Sequence, residues 1–107
     1  MNNQTIKKLQ KIYGVNDIQD QINSGFVWKL EGSVGRFAMS MLECGACMLP
    51  LVNMVDYYGN KIPTRKQVKN NTKGSYKNSI GFWEKVVDGN FEYLDFLEEN
   101  FAIETEI

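Results

Sequence analysis

The sequence predicts a mainly α-helical single domain, a compact bundle of five or six short helices with room for one small two-stranded β ribbon. Three observations lead there. Residues 33–50, SVGRFAMSMLECGACMLP, are the longest strongly apolar run, and Val34, Phe37, Ala38, Met41 and Leu42 fall at helical spacing on one face. Capping residues and glycines recur along the chain at helix-length intervals. A chain of 107 residues that is 43% hydrophobic and 12% aromatic fills one core, so the domain spans 1–107 and wholesale disorder is not expected.

Taken in order, residues 5–13 read as a first helix, with Ile6, Leu9, Ile12 and Tyr13 inward, Lys7, Lys8 and Lys11 outward, and Gly14 as its stop. Asn16 caps a second short helix that turns Val15, Ile18 and Ile22 inward and ends at Gly25. Residues 26–30, FVWKL, alternate as a short strand. The core helix follows, capped by Ser33 after Gly32, with Arg36, Ser40 and Glu43 on its polar face and with Gly45 and Pro50 marking its end. Residues 51–58 fit helical spacing, with a hairpin turning at Gly59-Asn60 as the alternative; helix is the favoured reading. Thr64 with Gln67 forms a capping box that opens a short helix to about Asn71.

After a turn at 72–74, Ser75 caps a longer helix to Asp88, with Tyr76, Ile80, Trp83 and Val87 inward and Phe82 and Val86 beside them. Gly89 closes it. Asn90 caps a last helix over 91–101, facing Leu94, Leu97 and Phe101 to the core, and the alternating tail 103–107 is either frayed or an edge strand for 26–30.

The formal net charge of −1 hides an asymmetry. Between Lys61 and Lys77 stand six basic residues (Lys61, Arg65, Lys66, Lys69, Lys73, Lys77) and no acidic one; from Glu84 onward there are eight acidic residues against Lys85 alone. Such segregation gives either a basic binding face or two segments that screen each other. No histidine is present, which removes the commonest general base and metal ligand; the reading leans away from an enzyme and names no catalytic residue and no cofactor. No apolar run reaches the roughly 20 residues that cross a bilayer. The start, MNNQTIKKLQ, lacks a signal-peptide core, so a cytoplasmic protein with no membrane partner is expected.

Two local motifs carry chemistry. Cys44-Gly-Ala-Cys47 is a C-x-x-C that looks like the active-site tetrapeptide of thioredoxin-type oxidoreductases, whose chemistry needs a thiolate favoured by a helix N-terminus. Here the pair falls at a helix C-terminus, where the dipole opposes a thiolate. The readings are buried structural thiols, a redox pair, or an intersubunit disulfide or metal site completed across a dimer, since two cysteines supply half of a tetrahedral zinc site. Residues 31–36, EGSVGR, put Ser33, Gly35 and Arg36 at a helix start, an anion site if the free N–H groups and the guanidinium converge, and otherwise a turn and a cap.

The run Pro63-Thr64, Val68, Gly74-Ser75, Ser79-Ile80 and Trp83 is similar to the helix-turn-helix DNA-binding N-terminal domains of plasmid replication-region proteins, in which a Pro-Thr-started helix precedes a Gly-Ser-started recognition helix. The likeness falls within residues 51–87. It implies that Tyr76, Lys77 and Asn78 read base edges, Asn78 by a bidentate contact to adenine, and that Arg65, Lys66, Lys69 and Lys73 lie against phosphates. The expected function is a small regulatory protein, phage- or plasmid-like in character, contacting nucleic acid through 61–77. The alternative is a homo-oligomeric or protein-binding module. Its basis is the aromatic density at Tyr57, Tyr58, Trp83, Phe91, Tyr93, Phe96 and Phe101, with the acidic C-terminal helix seated on a basic surface such as 61–77 of a second copy.

Overall fold

The computed structural model describes residues 1–30 and 32–89, apart from the side chain of Ser33, together with Glu92, Asp95 and Phe96. In chain order the elements are α1 (Asn3–Ile12), α2 (Asn16–Ser24), a 3-10 turn (Val27–Lys29), α3 (Ser33–Cys44), strands β1 (Met54–Val55) and β2 (Lys61–Ile62), and α4 (Tyr76–Val87). The architecture is mainly helical with a two-stranded antiparallel sheet, as the sequence implies. The helix number is not: the described residues hold four helices rather than five or six. Glu92, Asp95 and Phe96 are helical, but the rest of the expected helix over 91–101, and the tail 103–107, lie outside the described residues.

Three local expectations change. Residues 26–30 are not a strand: Gly25 turns left-handed at φ 90°, and Trp28 and Lys29 donate to Gly25 and Phe26 three residues back, which winds a 3-10 turn. Residues 51–58 are not a helix but lead into the hairpin, with Met54 opposite Ile62 and Val55 opposite Lys61. Asp56 decides this, because its carboxylate accepts the Tyr58 N–H at 2.9 Å and the Asn60 N–H at 2.8 Å and so holds the tip. Residues 64–71 are a series of turns. The Thr64 N–H does reach Gln67 Oε1 at 2.9 Å, one half of the expected capping box, but the Gln67 amide is shared with Asn53 and ties the loop to the hairpin.

The core gathers Ile6, Val15, Ile18, Ile22, Val27 and Trp28 with Ala38, Met41 and Leu42 of α3 and Phe82, Trp83 and Val86 of α4. Ile12, expected inside, is 68% exposed. The α1 helix ends there, and Tyr13 packs on the Trp83 ring at 5.9 Å instead. Val87 is likewise exposed, with Ser79 buried in its place on the inner face of α4. The α3 cap is Gly32, at φ 97°, rather than Ser33.

Through the middle runs a stretch without regular structure, residues 45–50, and every one of its residues is buried. A buried irregular backbone must find partners for its polar groups, and here side chains supply them. The Ala46 carbonyl accepts from Gln10 Nε2 at 2.9 Å and from Trp83 Nε1 at 3.3 Å. Gln19 brackets Met48, accepting its N–H at 2.8 Å and donating to its carbonyl at 2.9 Å. Arg65 Nε donates to the Leu49 carbonyl at 2.7 Å.

Two glycines let this stretch close. A Cβ on Gly45, at φ 105°, would stand 2.8 Å from the Asn78 carbonyl and the Phe82 Cβ; one on Gly74, at φ 83°, would overlap the Leu49 side chain.

Candidate nucleic-acid interface

The basic segment spreads over β2, the turns at 63–75 and the start of α4. Lys61, Lys66, Lys69, Lys73 and Lys77 are all exposed. One ion pair touches them among the described residues: Lys73 Nζ stands 4.0 Å from a Glu43 carboxylate oxygen, with both side chains more than half exposed, a geometry that contributes little.

Arg65 behaves differently from its lysine neighbours. Besides the Leu49 carbonyl, its guanidinium donates to Asn23 Oδ1 at 3.0 Å and to Met48 Sδ at 3.6 Å. Burial pulls its pKa below the ordinary value, with a small opposing contribution from Cys47. This guanidinium is committed to the fold, so it is a structural anchor for the loop that displays the lysines.

The helix-turn-helix arrangement implied by the resemblance does not form, because residues 51–75 contain no helix to precede α4. Ser75 does cap α4, accepting the Asn78 N–H at 3.1 Å, but it is buried. The Asn78 amide donates to the Leu42 and Glu43 carbonyls at 3.3 and 3.4 Å, closing the C-terminal end of α3, so its side chain is engaged inside the molecule. Tyr76 is half-buried, with its hydroxyl donating to the Met1 carbonyl at 3.1 Å. Of the three residues implied to read bases, Lys77 alone is exposed.

An open groove of about 600 Å³ lies between α3 and the hairpin tip. One wall is a stripe of α3 at helical spacing, Gly35, Arg36, Met39, Ser40 and Glu43; the other is Asp56, Tyr57, Tyr58 and Ile62. Trp28 and Leu30 contribute to its floor. The two tyrosine rings meet edge to face, with centroids 5.0 Å apart and planes at 75°. A smaller hollow of about 290 Å³, almost wholly apolar, adjoins it: Trp28, Met39 and Ile62 line both, and Val68 and Lys73 close its far side.

Of the residues expected to bind an anion, Gly35 and Arg36 line the groove, whereas the Ser33 side chain lies outside the described residues. Composition alone did not assign Tyr57 and Tyr58 to the groove; the Gly59-Asn60 turn that puts them there was visible as the alternative to a helix.

The cysteines are free thiols, Cys47 buried and Cys44 half-buried. Burial pushes Cys44 up to about 11, against smaller lowering contributions from backbone hydrogen bonds, and pushes Cys47 well above 9.0. That is the opposite of the shift a nucleophilic thiolate needs. Among the described residues no group of three His, Cys, Asp or Glu side chains is placed to hold a metal, and no helix is long and apolar enough to cross a membrane. Comparison with known family models, with curated proteins and with solved structures returns no match for the chain.

Proposed function

We propose that the protein is a small non-catalytic binding module that contacts the phosphate backbone of nucleic acid through the lysines of residues 61–77. The observation that carries the reading is the division of labour in that segment. Arg65 is consumed by the fold, while Lys61, Lys66, Lys69 and Lys77 stand exposed with no carboxylate at ion-pair distance among the described residues. An acid-free run of cations beside a half-buried anchor suits a polyanion. With no recognition helix offered to a groove, binding rests on charge and is insensitive to base sequence.

The test is binding of labelled DNA by fluorescence anisotropy over a salt series. The expected result is a steep loss of affinity with salt, and a slope that flattens by about 0.7–0.9 for each of Lys66, Lys69 and Lys77 changed to Ala. No binding at low salt, or a slope that ignores these substitutions, overturns the reading.

A second reading, a protein-binding or self-associating module, is favoured by the apolar hairpin, where Leu51, Val52 and Val55 are about 60% exposed. A mass that rises with concentration in light scattering, and falls back in Val52→Asp, supports it; a monomer at all concentrations removes self-association.

A further inference from the structure

We propose that the groove between α3 and the hairpin tip is a stacking site for a base of single-stranded nucleic acid, with Tyr57 and Tyr58 offering ring surface and Arg36 meeting the neighbouring phosphate. The inference rests on the nucleic-acid reading above and adds to it a strand preference and the residues that set it.

The groove supplies the two things an unpaired strand needs, aromatic faces and a cation. Tyr57 is 57% and Tyr58 67% exposed, a large aromatic area to leave at the tip of a hairpin. The turn closes through Asp56, which takes the Tyr58 and Asn60 N–H groups and the Asn60 side-chain amide at 3.3 Å. The rings are therefore presented on a tip already fixed, so little ordering is lost when a ligand arrives.

Arg36 gives the groove a cation for a phosphate to meet. Among the described residues its lining carries two carboxylates, Asp56, engaged by the turn, and Glu43, 4.0 Å from Lys73. Arg36, opposite the tyrosines, is exposed and has no ion pair among the described residues. Beyond Ile62 the surface runs on to Lys73, so a strand leaving the groove meets that lysine. A duplex keeps its base faces stacked on each other and has nothing to give the rings. A planar base with a phosphate beside it uses ring and guanidinium together.

The experiment compares an oligothymidine of about twelve nucleotides with a duplex of the same length, by anisotropy at low salt. Tyr57→Ala, Tyr57→Phe, Arg36→Ala and the Lys66/Lys69/Lys77→Ala triple variant are each measured on both. Tyr57 and Arg36 are exposed, so these substitutions leave the core intact, and circular dichroism checks it. The expected result is that the wild type prefers the single strand and that Tyr57→Ala weakens it about tenfold. Tyr57→Phe retains binding, the Tyr57→Ala salt slope is unchanged, and duplex affinity does not respond to either tyrosine variant.

If Tyr57→Ala and Arg36→Ala bind the single strand like the wild type while the lysine variant does not, the groove assignment is wrong and the lysine surface stands. If the wild type binds neither nucleic acid, both fall. If the wild type self-associates and Tyr57→Ala alone makes it monomeric, the groove is an interface between copies and the stacking site is overturned.

Discussion

Gln19 holds both polar groups of the Met48 peptide unit, accepts from Gln10 Nε2 at 2.9 Å, and donates to Asn23 Oδ1 at 3.0 Å. Replacing it by Leu keeps volume but strands a buried N–H and a buried carbonyl, each of which costs about 1–3 kcal/mol. We expect Gln19→Leu to lose about 2–4 kcal/mol in urea unfolding, more than removing an ordinary solvent-facing glutamine. Cys44 gives a pH signature instead. Its thiol keeps its proton up to about 11 in the fold and to 9.0 otherwise. The unfolded chain therefore releases that proton first as pH rises. The contribution to stability is whole below 9.0 and drains away as pH climbs toward 11. A urea midpoint that falls over this window, and falls less steeply in Cys44→Ala, is the expected outcome.

At the scale of elements, the loop of residues 63–75 is fixed from beneath by Arg65. Arg65→Lys preserves charge but cannot serve Leu49, Met48 and Asn23 together. The expected loss is about 2 kcal/mol of stability; Lys66→Ala, on the exposed side, stays within about 0.5 kcal/mol. Thermal unfolding of the two variants checks the contrast. A guanidinium that merely met phosphate would show the reverse pattern, intact stability and altered binding.

These elements also show where sequence reasoning reaches and where it stops. The end of α2 and both ends of α4 were legible because Gly25, Ser75 and Gly89 act on their own neighbours, whereas Asn16 is not the cap of α2: Val15 holds that position without a side-chain bond. The groove-facing stripe of α3 was legible as the polar side of a helix. Gln10 and Gln19 were not, because a glutamine in a helix reads as solvent-facing, and the carbonyls that bury these two lie 36 and 29 residues away. Thr64 and Gln67 made the expected local bond but no helix, since Asn53, 14 residues back, claims the same amide. Periodicity cannot see a partner at that distance.

At the scale of the molecule, the tyrosine-lined groove and the apolar hollow beside it meet at Ile62, and the hollow reaches Lys73 of the basic segment. The Ala46 carbonyl has a further consequence for how the chain is made. It is gripped by Gln10 from 36 residues upstream and by Trp83 from 37 residues downstream. A nascent chain emerging from its N-terminus can wind α1 and α2, but it cannot seal its centre until Trp83 has cleared the exit tunnel. Ribosome-stalled fragments that stop before Trp83 are therefore expected to be digested readily by a protease, whereas those with Trp83 fully emerged resist it. Folding here waits for the late arrival of one indole.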